Sequence, residues 1–404
     1  MKFHTRLVSL LLAGSLLLPL AACSDRTAQE PDASPSEPAV SDTASPSPSD
    51  ASGSAGVLPE DFTPDLTVED VCLATLGVPV DSELFTVNGV PVTAGCYLYW
   101  TLYCISNLQT YMSYYGVTVD LTTDVTFADY IKEDALAAAV RCSVIESKAK
   151  ELGFEMTDEQ VSELESSLAL SAEYMGGEEA FQDYLRRAGL SYDSFYQINA
   201  ASYYYAQLTA GLFPDPPTAE EMDAYIEEND ILQAKHILLM TVDSSTRAPL
   251  DEETIAQKKA TAEDVLARLQ ASTDLEADFD ALMHEYSEDP GLVYNPDGYT
   301  FTAGEMVTEF EQATRALEYG QISGIVESAT TGYHIILRLD PDTEAARADC
   351  LAAKANEQVT AWADEADVVP SDEFDALNIS LFYARYNAYQ EAFNASAAAG
   401  SQEN

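Results

Sequence analysis

Positively charged side chains are scarce in this sequence. Its 404 residues include 19 Lys and Arg against 69 Asp and Glu, which gives a formal net charge of −50. Such a surplus of negative charge repels nucleic acid and anionic headgroups, so the composition excludes a nucleic-acid-binding protein. It favours neutral or basic polypeptides as partners. The alternative is that the acidic residues only form a solvated surface and have no particular partner. The length and the apolar fraction of 47% indicate a globular protein of two or three domains.

Cysteine is also sparse, and no two cysteines stand in a Cys-x-x-Cys pair. Beyond Cys23 there are five: Cys72, Cys96, Cys104, Cys142 and Cys350. Five is an odd number, so at least one thiol stays unpaired in any monomeric disulfide scheme. Cys96 and Cys104 are predicted to share one helix, where eight residues span about 12 Å, too far for a disulfide. We therefore expect buried thiols that act as small hydrophobic side chains.

Long apolar runs are missing except near the N-terminus. Lys2 and Arg6 precede an apolar stretch at residues 7–20, which is typical of an export signal and short for a transmembrane helix. The stretch ends at Cys23 behind Leu-Ala-Ala, which resembles the lipobox of bacterial lipoproteins, whose cysteine sulfur receives a lipid. We therefore expect residues 1–22 to be a lipoprotein signal peptide and Cys23 to carry a lipid anchor. The chain would then be tethered to the extracytoplasmic face of a bacterial cell membrane.

Large apolar side chains are nearly absent from residues 23–66, which are rich in Ser, Pro, Ala, Asp and Glu. A segment of this composition cannot bury enough surface to fold, so we expect a disordered acidic linker. As a flexible tether it would reach on the order of 35 Å. A second disordered segment is expected at residues 395–404.

The first ordered segments have clear local patterns. Residues 85–92 alternate around an Asn-Gly pair, which predicts a hairpin. A stripe of apolar residues at spacings of three and four predicts a long helix that ends before Gly153. The members of the stripe are Phe127, Ile131, Ala135, Ala138, Cys142, Ile145, Ala149 and Leu152. Capping boxes that open two further helices are formed by Thr157 with Gln160 and by Thr218 with Glu221.

The pattern changes after residue 228. Residues 229–340 combine a β-like segment, a helix near 251–270, shorter elements and a final strand at 333–339, which is an α+β pattern. Residues 67–228 and 341–394 are predicted to be helical and to form one domain. The α+β unit is then an insertion in a mainly helical domain.

Five short segments of the α+β region form an ordered series of motifs. They are residues 234–239, 285–291, 304–311, 320–324 and 332–337. Their order and spacing are similar to those of the parvulin, or PpiC-type, peptidyl-prolyl isomerases. Residues 87–93, ahead of a helical region, resemble the start of the chaperone domain in PrsA- and SurA-type foldases. The resemblance implies a parvulin domain at 229–340, inserted in a helical SurA/PrsA-like chaperone domain formed by 67–228 and 341–394.

The resemblance also implies a catalytic group of His236, Asp289 and His334. The two histidines would be a hydrogen-bonded pair in the floor of the site, and Asp289 would lie near the substrate carbonyl. The implied activity is cis/trans isomerisation of X–Pro bonds, with unfolded or partly folded exported polypeptides as partners. This chemistry needs no metal, nucleotide or other cofactor.

The substrate-binding residues implied by the resemblance surround that group. Met306 and Phe310 would line the proline pocket, and Thr331 would support the histidine pair. Residues 295–301 depart from the Gly-Gly-Asp-Leu-Gly pattern that parvulins commonly carry. The leucine of that pattern is replaced by Gly298 or Tyr299, and the Tyr299 ring is expected to close the pocket.

Several alternatives remain open. A histidine on an apolar strand is more often a buried core residue, and a core stripe also explains the spacing of Met306 and Phe310. The chain could be a holdase chaperone whose parvulin domain is weak or inactive. It could also be a metalloprotein with two histidines and one carboxylate as ligands. A solute-binding lipoprotein is a further class, which the long helical stripes contradict. A homodimer is possible, and His284 has no assigned role.

Overall fold

The computed structural model describes residues 56–59 and 62–400. These residues form two compact units. The first unit contains the chain up to Pro214 and again from Ala355, and the second contains Asp215–Lys354. The second unit is therefore an insertion in the sequence of the first.

In chain order the helices are α1 (Val71–Thr75), α2 (Ala94–Tyr114), α3 (Val125–Glu151), α4 (Asp158–Tyr174), α5 (Glu178–Arg187), α6 (Tyr192–Leu212), α7 (Ala219–Asn229), α8 (Glu252–Gln270), α9 (Leu275–Tyr286), α10 (Thr308–Arg315), α11 (Glu344–Asp364), α12 (Asp372–Asp375) and α13 (Ile379–Gly400). The strands are β1 (Glu83–Val87), β2 (Val90–Thr93), β3 (Leu232–Met240), β4 (Tyr299–Phe301), β5 (Val326–Ser328), β6 (Gly332–Leu339) and β7 (Val368–Pro370). A short 3₁₀-helix lies at Pro290–Val293. The predicted fold class, an α+β domain inserted in a mainly helical domain, is confirmed.

The first unit carries a small antiparallel sheet with the strand order β2-β1-β7. The predicted hairpin is confirmed: β1 and β2 pair around Asn88 and Gly89, whose φ values are 51° and 78°. The helical prediction for residues 341–394 is wrong at Val368–Pro370, which pairs with β1 as a third strand. Local periodicity could not reveal this strand, because its partner lies about 280 residues earlier in the chain.

The long helix predicted from the apolar stripe is α3. Ile131, Ala135, Ile145 and Ala149 are buried on it, as the stripe requires. Leu152 is the C-cap residue and is 45% exposed, so the last position of the stripe is wrong. Gly153 follows with a φ of 79°, a conformation that suits glycine at the end of a helix.

Both predicted capping boxes are confirmed. The Thr157 side chain accepts from the backbone of Gln160, and the Gln160 side chain accepts from the backbone of Thr157. Thr218 and Glu221 make the same reciprocal pair at the start of α7. Each box satisfies two backbone N–H groups that a helix start otherwise leaves without a partner.

The second unit is built on a four-stranded antiparallel sheet with the order β4-β3-β6-β5. Odd-numbered residues of the two central strands, Ile237, Ile335 and Leu337, pack with α8 and α9 on one face. Even-numbered residues such as Ala234 and Ile336 pack with Phe310 of α10 on the other face. Because side chains alternate between the two faces along each strand, both faces of the sheet are apolar and each is covered by helices.

The five cysteines that the structure describes have free thiols. Cys96 and Cys104 both lie on α2, as predicted. Cys72, Cys104 and Cys350 are buried, and burial raises the pKa of the Cys96 thiol to about 12. Cys23 and the predicted signal peptide lie outside the described residues. Among residues 56–59 and 62–400, no helix has both the length and the apolar character needed to cross a membrane.

We expect Thr157→Ala to lower the free energy of unfolding of the first unit by about 1 kcal/mol, because the α4 N-cap hydrogen bond is lost. Thr157→Ser keeps the hydroxyl acceptor and should stay near wild type. Both tryptophans of the chain, Trp100 and Trp362, lie in this unit, so tryptophan fluorescence during urea titration reports on it. Equal midpoints for the alanine and serine variants would contradict the role of the cap.

Candidate active site

Two histidines meet on one face of the central strand pair of the second unit. His236 on β3 is opposite Ile336, and His334 on β6 is opposite Leu238. Because residues two apart share a face, the two histidines are diagonal neighbours on the same face. Their Nδ1 atoms are 3.0 Å apart, and their rings are nearly parallel, with an interplanar angle of 13°. Both side chains are buried, His334 at 3% exposure.

The histidine pair belongs to a longer hydrogen-bonded chain. His236 Nε2 lies 2.9 Å from Asp289 Oδ2, and the Thr331 hydroxyl lies 2.7 Å from His334 Nε2. An ionised carboxylate can only accept, so His236 donates through Nε2. With both imidazoles neutral, His236 accepts at Nδ1 from His334, which in turn accepts at Nε2 from Thr331. All donations then run in one direction, from Thr331 to Asp289.

Asp289 is positioned by the segment that leads into it from α9. The backbone N–H of Leu238 donates to Ser287 Oγ at 3.1 Å, and the N–H of Glu288 donates to the Leu238 carbonyl at 2.8 Å. This segment therefore runs alongside β3 close to His236. Asp289 itself caps the 3₁₀-helix, because its Oδ1 accepts from the N–H of Gly291 at 2.9 Å.

Electrostatics keep Asp289 ionised. Burial alone would raise the pKa of its carboxyl group. Hydrogen bonds from His236, from the Tyr299 hydroxyl and from the Gly291 N–H outweigh burial and lower that pKa to about 2. The contribution of this carboxylate to folding stability is therefore present above pH 3.8 and is lost as the pH falls through about 2.

His334 is held in its neutral form. Burial, reinforced by the neighbouring His236, lowers the pKa of His334 to about 3, against the opposing pull of Asp289. In the unfolded chain this imidazole would bind a proton near pH 6.5. Between about pH 3 and pH 6.5 the unfolded state therefore holds more protons than the folded state. The contribution of His334 to stability is therefore full above pH 6.5 and declines as the pH falls toward 3.

Aromatic rings enclose the histidine pair. The Phe310 ring, 2% exposed, meets both imidazoles edge to face, at centroid distances of 5.2 Å for His236 and 5.7 Å for His334. The Tyr299 ring meets His236 at 5.6 Å in the same manner. Met306 and Tyr299 pack against the apolar cluster that contains Phe310. One side of the pair is thus an apolar and aromatic wall.

Residues 295–301, the segment that lacks the common Gly-Gly-Asp-Leu-Gly pattern, contribute a hydrogen bond to the site. The Tyr299 hydroxyl donates to Asp289 Oδ2 at 2.6 Å. Burial, together with this contact, raises the pKa of Tyr299. Gly298 precedes it with a φ of +99°, and a Cβ there would lie 2.7 Å from the Ala234 carbonyl oxygen. A Cβ on Gly291 would lie 2.0 Å from the tyrosine hydroxyl oxygen. Two glycines therefore make room for this contact.

The structure brings all seven residues named from the sequence to one region of the second unit. His236, Asp289, His334, Tyr299 and Thr331 are joined by hydrogen bonds, and Phe310 and Met306 form the apolar side. Sequence reasoning missed the Ser287 contact that aligns the Asp289 segment, and the hydroxyl of Tyr299 as a hydrogen-bond donor. His284 is exposed near the end of α9.

The arrangement does not have the form of a metal centre. Among the described residues, no group of three or more His, Cys, Asp and Glu side chains is placed to hold a metal ion. Both nitrogens of His236 already have partners, which are His334 and Asp289. The geometry instead places the ionised Asp289 carboxylate beside an apolar wall.

Comparison with known proteins identifies the domain. Residues 236–340 match the family model of the rotamases described as the PPIC-type PPIASE domain. The peptidyl-prolyl cis-trans isomerase ESS1 of Saccharomyces cerevisiae is 30% identical over 130 residues, which cover 31% of this chain and 76% of that protein. The chain belongs to the parvulin-type peptidyl-prolyl isomerase family, as its sequence motifs predict.

Within this family the chain is PrsA-like. The foldase protein PrsA of Halalkalibacterium halodurans is 43% identical over 128 residues, covering 30% of this chain and 32% of that protein. The foldase protein PrsA of Oceanobacillus iheyensis is 33% identical over 193 residues, covering 47% of this chain and 55% of that protein. The chain thus spans about a third to just over half the length of these curated relatives.

We expect the His334 imidazole to stay neutral, with its proton on Nδ1, from about pH 8 down to about pH 5. The reason is the pKa of about 3 that burial imposes on it. Histidine-selective ¹⁵N NMR measures the protonation of each ring nitrogen, and the spectrum of His334→Gln assigns the resonances. A titration of His334 near pH 6.5 would contradict the neutral hydrogen-bonded chain.

Proposed function

We propose that the second unit catalyses cis/trans isomerisation of X–Pro peptide bonds, and that the whole chain acts as a foldase for exported polypeptides. The observation that carries this proposal is the hydrogen-bonded array of His334, His236 and Asp289 beside the Phe310 wall. The array sets an ionised carboxylate next to an apolar surface, which are the two elements that the reaction requires.

The reaction is limited by amide resonance. Rotation about an X–Pro bond has a barrier of about 18–20 kcal/mol, because twisting destroys the partial double bond. A catalyst therefore has to bind the twisted amide better than either planar form. In the planar amide, resonance places negative charge on the carbonyl oxygen, and twisting withdraws that charge.

Each site residue then has a defined task. Met306 and Phe310 hold the proline ring on the apolar side, which fixes one end of the bond. Asp289 lies near the substrate carbonyl, where its charge disfavours the electron-rich oxygen of the planar amide more than the twisted one. The hydrogen-bonded chain from Thr331 through His334 and His236 keeps this carboxylate oriented.

A second candidate function is a holdase chaperone with a weak or inactive parvulin domain. The observation that favours it is the Tyr299 hydroxyl, which donates to Asp289 Oδ2 and withdraws part of its negative charge. The leucine of the usual parvulin pattern is also replaced, by Gly298 or Tyr299. Measurement of isomerisation separates the two functions.

The anchor on Cys23 completes the proposal. A lipid on this cysteine, followed by an acidic linker at residues 23–66, would hold the folded units outside the membrane, near polypeptides as they emerge. The negative charge of the chain repels anionic headgroups and favours neutral or basic clients. The similarity to PrsA foldases supports this location.

In a proline-isomerisation assay of the full chain with an X–Pro peptide, we expect His334→Ala and Asp289→Asn to lower kcat/KM by about tenfold or more. Asp289→Asn removes the charge, and His334→Ala removes the hydrogen bond to His236 that helps to position Asp289. Each loss is of the order that lowers a rate tenfold. His284→Ala, at an exposed histidine outside the site, is the matched control and should keep the wild-type value.

Two outcomes of this assay oppose the proposal in different ways. A wild-type rate equal to the uncatalysed rate would leave the holdase function. Catalysis by the wild type that neither site variant reduces would mean that the site residues are wrongly assigned.

We expect Cys23→Ser to move the chain from the membrane fraction to the soluble fraction of a bacterium that expresses it, because a hydroxyl cannot accept the lipid in place of the thiol. Labelling with radioactive palmitate should disappear in the same variant. Ser24→Ala is the neighbouring control and should remain lipidated. Membrane retention of Cys23→Ser would rule out anchoring through this residue.

A further inference from the structure

A long part of the first unit contains no charged residue. Residues 84–119 include no Asp, Glu, Lys or Arg, although 22% of the whole chain is charged. At the average frequency, a segment of this length would carry about eight charges. The segment contains β1 from its second residue onward, β2 and the whole of α2. Burial explains the uncharged side chains at the start of α2, but not those at its end, which are exposed.

The exposed end of α2 carries three tyrosines in contact with one another. Tyr111, Tyr114 and Tyr115 are 49%, 77% and 62% exposed, and we call them the tyrosine cluster. The ring centroids of Tyr111 and Tyr115 are 5.1 Å apart, and those of Tyr114 and Tyr115 are 5.3 Å apart. Val117, 45% exposed, extends the apolar surface beyond them.

Backbone hydrogen bonds hold the segment that carries the tyrosine cluster. The N–H of Tyr115 donates to the Met112 carbonyl at 3.1 Å, and the N–H of Val117 donates to the same carbonyl at 2.9 Å. Gly116 turns the chain between them with a φ of +69°. A rigid aromatic surface loses little conformational entropy when a partner binds, because tyrosine has few rotatable bonds.

The neighbours of the tyrosine cluster are small polar residues. The exposed ones on α2 are Ser106, Asn107, Thr110 and Ser113. Tyrosine with serine, asparagine and glycine is the composition of antibody paratopes, where rigid rings supply contact area and small polar groups supply adaptable hydrogen bonds. A surface of this kind can bind many polypeptide sequences, including their backbone.

We propose that the tyrosine cluster binds an unfolded segment of neutral or basic polypeptide. The net negative charge of the chain favours this polypeptide over the other possible partners. A second copy would bring another net charge of −50 to the contact, and anionic lipid or nucleic acid would meet the same repulsion. A neutral or basic polypeptide meets no such penalty, and a basic one is attracted by the net negative charge of the chain. The proposal rests on the foldase function and adds a binding surface that does not require proline.

The test uses the full chain and a fluorescently labelled peptide that is unstructured, free of proline, and rich in Lys, Leu and Phe. The variant is the triple substitution Tyr111→Ser, Tyr114→Ser and Tyr115→Ser. We expect its Kd, measured by fluorescence anisotropy, to rise about tenfold or more, as happens when aromatic anchors of an interface are removed. Tyr174→Ser is the matched control, because Tyr174 is 94% exposed on α4 outside the cluster.

Each outcome has a defined meaning. Weaker binding by the triple variant alone, with unchanged proline isomerisation, supports the cluster as a client surface. A Kd equal to that of wild type overturns the proposal. A change from dimer to monomer in the triple variant, measured by light scattering, also overturns it and assigns the surface to a second copy. A peptide with Glu in place of Lys should bind more weakly to wild type, and equal affinity would contradict the choice of client by charge. The anisotropy and light-scattering readouts do not depend on activity at His334, so failure of this proposal can be told apart from failure of the isomerase proposal.

Discussion

The antiparallel pairing of β3 with β6 is the contact on which the catalytic part of the molecule depends. Eight residue pairs from Gln233 with Leu339 to Met240 with Gly332 fix the register. A shift by one residue would move every side chain to the opposite face. The two histidines would then no longer lie diagonally on one face, and the imidazole chain to Asp289 could not form. The odd-numbered apolar residues that bind α8 and α9 hold the register in place.

Burial and charge are balanced in the site by hydrogen bonds alone. A buried carboxylate is costly unless it is bonded, and Asp289 accepts from three donors. The buried His334 avoids the same cost by remaining neutral. A single negative charge is therefore kept at the edge of an apolar wall without a cationic side chain beside it. Within the described part of the chain, no neighbouring cation therefore screens the electric field that this carboxylate exerts on a group bound beside the wall.

Much of this arrangement could be predicted from the sequence. Short apolar runs directly after the two histidines locate β3 and β6, and capping boxes locate α4 and α7, because these signals are local. The contact between Tyr299 and Asp289 could not be predicted, since it depends on the positive φ of Gly298 and on the absence of a side chain at Gly291. The strand β7 was missed for a related reason. Its partner β1 is distant in sequence, and three residues carry no periodic signal.

The insertion of one unit within the other sets an order on folding during synthesis and export. All strands of the second unit lie between residues 232 and 339, so this unit can complete its sheet as soon as that stretch has emerged. The first unit cannot, because β7 and Phe374, whose ring contacts Phe85 and Tyr97, emerge only after the second unit. Until then the edge of β1 and the apolar side of α2 lack their final cover. The second unit can therefore fold first. The first unit can complete its fold only after the C-terminal segment has emerged.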